Sequence, residues 1–364
     1  MIRGADAVTV RDALERAESL PGTFGFAGEL DGRLVRDVLG RVPLFVERGI
    51  ATDPVDDAWA FSPTTLADPV PFPPGTVADG TGRTRVWELP DPPVEADHDW
   101  ALERVDRAVR RAADAVEPTN VAVAFSGGVD SALVAELLDA PLYVAGFPDS
   151  HDVEAARTAA EAMGRDLEVV TLEPADLERA VPTVARAIGR TNAMDVQIAL
   201  PLYLVAERVA ADGFDALAVG QGADELFGGY EKVARLDHRV DADTVRGAVR
   251  EQIHTLPDQL PRDVLALEAA GVEPVAPLLH DAVVDAALGL PTALLVDGEI
   301  RKRGLRIVAS EYLPDSVATR EKKAVQYGSL VARELDRLAR QAGYKRRMDD
   351  HVTRYVESLL EDGA

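Results

Sequence analysis

From residue 121 onward, short uninterrupted apolar runs alternate with longer stretches whose apolar positions recur every three or four residues. The run 121–125 is apolar on both faces, which is what a buried parallel strand requires, and 142–147, 167–172 and 216–220 read as further strands. Between them the helical period predicts helices over 132–138, over 152–163 with Gly164 as its stop, over 174–188 with Pro182 as a break or new start, and over 198–211 ending at Asp212-Gly213. This alternation predicts an α/β fold built on a doubly wound parallel sheet, with ligands beyond the C-terminal strand edges.

Before residue 121 the pattern changes. Residues 1–95 are rich in Gly, Pro and Asp, and their short alternating runs predict a small β-rich domain. Residues 24–30 and 33–36 flank Asp31-Gly32 and read as a hairpin. Residues 43–47 and 59–62 read as strands and 73–75 as a turn. A Pro- and acid-rich linker at 91–97 then leads into the second expected domain, 96–364. That domain opens with a helix over 100–116. Its Leu102, Val105, Val109, Ala112, Ala113 and Val116 share an apolar face, and Arg104, Arg107, Arg110 and Arg111 form a solvated or salt-bridged one. Residues 231–300 read as mostly helical, Arg301 to Arg306 as a charged helix start, and 330–360 as helices with a polar tail.

Composition narrows the function classes. A net charge of −24 over 364 residues argues against a nucleic-acid partner, because phosphate backbones attract Lys and Arg. No run of 18 apolar residues occurs and the N-terminus lacks a signal-peptide core, so neither a membrane span nor secretion is expected, and the expected location is cytoplasmic. The chain has no cysteine, hence no thiolate metal site and no cysteine nucleophile. Of its 39 basic residues only Lys232, Lys302, Lys322, Lys323 and Lys345 are lysines, and this acid-rich, lysine-poor balance suits a salt-loving, archaeal-like setting.

Two loops carry candidate chemistry. Ser126-Gly127-Gly128-Val129-Asp130-Ser131 follows the first parallel strand directly. Two glycines permit an unusual backbone path, Ser131 is placed to cap the next helix, and a helix N-terminus offers free N–H groups to a phosphate. Asp130 adds a carboxylate suited to a phosphate-borne Mg²⁺. The spacing is neither Walker A nor the dinucleotide fingerprint. The second loop, Gly220-Gln221-Gly222-Ala223-Asp224-Glu225-Leu226-Phe227-Gly228-Gly229-Tyr230, sets four glycines around an acidic pair, and adjacent carboxylates repel unless a cation shares them.

The first loop resembles the pyrophosphate loop of the ATP pyrophosphatases, and the second closely resembles a motif of the asparagine synthetases. Arg320-Glu-Lys322-Lys-Ala-Val-Gln-Tyr-Gly-Ser329 is similar to a segment of archaeal-type members. Pieces of residues 22–89 look like the latter part of the glutaminase domain that precedes the synthetase domain in that family. The resemblance implies an adenine-nucleotide α-hydrolase type of sheet, preceded by a cysteine-less remnant of an N-terminal-nucleophile glutaminase domain without glutaminase activity.

The resemblance further implies an ATP-dependent ligase. A carboxylate, aspartate in the family, attacks the α-phosphorus of ATP. Pyrophosphate leaves, and ammonia then displaces AMP. In this reading Ser126, Gly127, Gly128, Val129, Asp130 and Ser131 hold pyrophosphate. The backbone of Ala124 and Ala145 touches the nucleoside, Gly220 and Asp224 complete the ATP site, and Asp130 and Asp224 hold Mg²⁺. Lys322 neutralises growing phosphate charge. Gln221 stands where relatives carry an acid, and a neutral amide cannot be a general base, so either ammonia needs no such base here and Gln221 only positions substrate, or Glu225 takes that part, or the chemistry differs. Val275 stands where many relatives carry Arg. These departures leave a ligase for a different carboxylate and amine, and a non-catalytic nucleotide-binding relative, as alternatives. A separate glutaminase subunit and a homodimer stay open as partners.

Overall fold

A computed structural model describes residues 1–49, 58–117, 119–320 and 330–362. They form two compact units, one of Met1–Val116, Gly220–Pro261 and Ala276–Tyr312, the other of Glu117–Val219, Arg262–Val275 and Leu313–Ala364.

The first unit begins with eight short strands, β1 (Ile2–Arg3), β2 (Ala27–Leu30), β3 (Arg33–Arg36), β4 (Phe45–Glu47), β5 (Trp59–Ala60), β6 (Pro69–Pro71), β7 (Thr76–Asp79) and β8 (Gly82–Arg85). They build an antiparallel five-stranded sheet in the order β1-β2-β3-β7-β8 and a three-stranded sheet β5-β4-β6. Asp31 and Gly32 both take positive φ, 51° and 75°, which is the backbone that an Asp-Gly hairpin turn favours. Leu34, Leu44, Val46, Phe61 and Phe72 form its apolar core. A helix over Ala7–Arg16, capped by Asp6, was not expected from the pattern. It buries only Val10 and Ala13, too few positions to register as a period. The helix His98–Asp114 matches the expected 100–116 and is capped by Asp97. The later segments add the helices Ala223–Phe227, Val245–Ile253, Asp281–Leu288 and Arg303–Ala309, and a small hairpin of β14 (Val296–Asp297) and β15 (Ile300–Arg301).

The second unit holds β9 (Val121–Ala124), β10 (Leu142–Gly146), β11 (Leu167–Thr171), β12 (Ala216–Ala218) and β13 (Glu273–Val275). All pairings are parallel and the order is β11-β10-β9-β12-β13. The chain runs outward from β9 to β11 and then returns to place β12 on the other flank of β9. This is the expected doubly wound sheet, with its switch point between β9 and β12. The helix Pro174–Ile188 corrects one expectation, since it passes Pro182 without a break. Burial of Leu177, Ala180 and Val181 before that region and of Val184, Ala185 and Ile188 after it keeps one continuous apolar face, which overrides the local preference. The following helix starts at Ala193, earlier than expected, where Asn192 accepts the Asp195 N–H. Among the described residues no helix is long and apolar enough to cross a membrane.

Candidate active site

The phosphate-type loop grows out of the central strand of the sheet. Val121, Ala122 and Val123 fix β9 between β10 and β12, and Phe125 extends it through an N–H bond to Tyr143 O at 2.7 Å. The chain then turns at Gly127, whose φ is +70°. A Cβ built there would lie 2.5 Å from the Ala155 carbonyl oxygen, so only glycine fits. Gly128 is different: its φ of −89° and ψ of 161° are open to any residue. The expectation that both glycines serve the turn is therefore corrected to Gly127 alone.

The helix begins at Val129 with Gly128 as its cap, and no side chain caps it. Ser131 thus sits inside the first turn and not at the cap. Its Oγ accepts the Ser126 N–H at 3.1 Å and bonds the Gly128 carbonyl at 3.3 Å. It cross-ties the loop from within, because the helix starts two residues earlier than the expected cap position. The result is a backbone concavity at a helix N-terminus with Asp130 in the first turn, a setting that favours an anion.

Ala124 and Ala145 join this loop at one sheet edge. Tyr143 is the register partner of Ala124, so Ala145 lies two residues further along the neighbouring strand. Arg320 reaches the same place, with its Nη1 donating to Ala155 O at 2.7 Å, the oxygen that confines Gly127. Lys322 lies outside the described residues.

The second loop, in the other unit, folds around the short helix Ala223–Phe227. Gly222 takes a φ of +90°, and a Cβ there would collide with Leu279. Gly220 and Gln221 are partly exposed. Glu225 is buried, accepts the Tyr230 hydroxyl, and burial pushes its carboxyl above the ordinary range, with the neighbouring Asp224 charge adding to the rise. Asp224 keeps 45% of its side chain exposed, and its Oδ1 lies 2.6 Å from Lys302 Nζ. Lys302 is not part of a charged helix face, as expected, because the β14–β15 hairpin turns it inward to 7% exposure. Lys302, Tyr230 and Arg320 are the residues that sequence reasoning passed over. The scarcity of lysine was the signal for the first of them.

Asp130 in the first turn of its helix and Asp224 in the second loop each carry hard carboxylate oxygens of the kind Mg²⁺ takes, and among the described residues no cluster of three or more His, Cys, Asp or Glu could hold a metal by itself. Mg²⁺ is commonly held by one or two carboxylates, its remaining positions filled by phosphate and water.

The family model for asparagine synthase matches residues 101–253 and 236–361. The chain is 30% identical over 308 residues to the "Putative asparagine synthetase [glutamine-hydrolyzing] 1" of Methanocaldococcus jannaschii, covering 74% of this chain and 57% of that one. It is 27% identical over 193 residues to asparagine synthetase B (glutamine-hydrolyzing) of Escherichia coli, covering 51% of this chain and 34% of that one. The chain thus spans about half the length of the curated relatives it matches. Among solved structures, an NH3-dependent NAD synthetase from Campylobacter jejuni aligns over 74% of this chain and 95% of its own, at 12% identity and a TM-score of 0.31.

Proposed function

The chain belongs to the asparagine synthase family, and from that membership we propose that it is an ATP-dependent, AMP-forming amide ligase acting on aspartate with ammonia. The observation that carries the proposal is the loop of residues 126–131, where Gly127 is confined by the Ala155 carbonyl and Ser131 ties the turn to a helix N-terminus. Such a concavity stabilises a pyrophosphate leaving group by oriented N–H groups already in place before reaction.

In this reading the aspartate side-chain carboxylate attacks the α-phosphorus of ATP, and the bond to the bridging oxygen breaks with its electron pair leaving on pyrophosphate. Ammonia then attacks the acyl carbon, AMP departs, and a proton is released. Ser126, Gly127, Gly128, Val129 and Ser131 bind the leaving pyrophosphate, and Ala124 and Ala145 border the nucleoside. Gly220 leaves room beside the phosphates, and Lys322 offsets their charge. Asp130 and Asp224 would hold Mg²⁺, which would supply charge neutralisation to the phosphates. Gln221 orients substrate by its amide. The burial of Glu225 and its bond to Tyr230 favour support of the loop over proton transfer.

A ligase for another carboxylate is the second reading. Val275 favours it, because this buried residue of β13 offers no charge where the family resemblance expects an arginine. A glutaminase on another chain and a homodimer are the partners to look for. The test is AMP and pyrophosphate release in high-salt buffer with ATP, Mg²⁺, aspartate and ammonium, each omitted in turn. Aspartate-dependent AMP with asparagine formed supports the first reading. AMP release that ignores aspartate but responds to another acid replaces it with the second.

A further inference from the structure

We propose that Lys302 is the positioning residue for Asp224, fixing that carboxylate for the metal that accompanies ATP; the proposal rests on the ligase reading above. Four features converge on the pair. Lys302 is one of five lysines in the chain, and it is 7% exposed. Its Nζ lies 2.6 Å from Asp224 Oδ1. Its backbone takes the left-handed conformation, φ 55° and ψ 34°, which L-residues avoid unless their surroundings impose it. Gly229 gives the pair its space, since a Cβ there would lie 1.8 Å from Asp224 Oδ1 and 2.4 Å from Lys302 Cε.

The placement is built from the chain upward. The β14–β15 hairpin ends at Arg301, whose Nη1 donates to the Gly229 carbonyl at 2.9 Å. The next residue is Lys302, so one tight hairpin pins the Gly228-Gly229 turn from its carbonyl side and sends an ammonium beneath the acid. Burying an ammonium is costly, and a charged partner offsets that cost. A half-exposed aspartate alone would sample several rotamers. With one oxygen committed to Lys302, the carboxylate is held in a single orientation, and a metal arriving with phosphates meets an acid already aligned.

Equilibrium ATP binding, measured calorimetrically with Mg²⁺ and separately with EDTA, tests this without turnover. In the wild type Mg²⁺ is expected to tighten ATP binding. Lys302→Met is expected to lose about tenfold or more of that gain while metal-free ATP binds as before. Asp224→Asn removes the gain, and the double variant is no weaker than Asp224→Asn. Lys302→Arg, which retains the charge, recovers part of it. Thermal melts establish that each variant is folded, and Lys302→Met removes a buried charge while leaving Asp224 open to water. Equal weakening of both ATP forms, an intact magnesium gain in Lys302→Met, or additive losses in the double variant overturns the proposal and leaves the ligase reading standing. Absence of ATP binding by the wild type overturns both.

Discussion

Arg41 Nη1 lies 2.7 Å from Asp281 Oδ1, and both side chains are almost wholly buried. The same guanidinium bonds Asp37 Oδ1 at 2.9 Å and the Leu279 carbonyl at 2.8 Å. Asp281 in turn accepts the N–H groups of Gly22 and Thr23. The β-rich N-terminal segment and the residues around 279–281 are therefore keyed together by one buried charge cluster within a single unit.

Arg41→Met follows as the first prediction. It leaves Asp37 and Asp281 buried without their cation, and breaking a buried pair in this way costs about 3–5 kcal/mol. Urea unfolding should show a midpoint well below wild type. Recovery is expected in Arg41→Met combined with Asp281→Asn, which keeps an acceptor for the Gly22 and Thr23 N–H groups and removes one stranded charge. A midpoint unchanged in the single variant would show that the cluster carries no stability.

The two glycines of the phosphate-type loop should part company. Gly127→Ala meets the Ala155 carbonyl and a left-handed backbone, and the backbone alone costs about 1–2 kcal/mol. It should lower the melting temperature and abolish ATP binding together. Gly128→Ala sits at a φ of −89° and should keep the wild-type melting temperature, with any loss confined to ATP affinity. Equal destabilisation of both would contradict the assignment of the turn to Gly127.

How much of this was legible in advance depends on where each cause lies along the chain. The β2–β3 hairpin was readable because Asp31-Gly32 is a local instruction. β9, β10 and β12 were readable because burial leaves an unbroken apolar run. β13 was not, since it is three residues long and contains Pro274, which signals a break; as the edge strand it tolerates the missing N–H. Lys302 was hidden for another reason. It lies between Arg301 and Arg303 in a run that reads as solvated charge, and its burial comes from a hairpin and a glycine some seventy residues apart in the chain. Ser131 was assigned to a cap because the start of a helix cannot be fixed to the residue from propensity.

Glu225 makes a prediction in pH. Its carboxyl titrates above the ordinary range in the folded protein, so between the unfolded and folded pKa values the native state binds more protons than the unfolded chain. Stability contributed by the protonated form is present below that window and declines as pH rises through it. Glu225→Gln retains an acceptor for Tyr230 and cannot ionise. Its urea midpoint should change less than wild type between pH 4 and pH 8, with the variant relatively more stable at the upper end. Because other groups titrate over the same interval, the test is the difference between wild type and Glu225→Gln, and a difference that does not turn against the wild type as pH rises would refute the buried, proton-retaining state.

Salt sets two electrostatic effects against each other. Surface pairs such as Arg179–Glu207 and Arg346–Asp336 are favourable, but exposed pairs contribute only about 0.2–1 kcal/mol each and weaken as salt is added. The net charge of −24 opposes compaction throughout, and its repulsion acts over distances that salt curtails, since the screening length falls from about 10 Å at 0.1 M to about 3 Å at 1 M. With 63 acids against 39 bases, the repulsion should dominate. The melting temperature is therefore expected to rise from 0.1 M to 2 M KCl. Arg179→Ala should lower it more at 0.1 M than at 2 M, because the pair it removes is itself screened. A melting temperature that falls with KCl would mean that the ion pairs outweigh the net charge and that the acid-rich surface is not a stability burden relieved by salt.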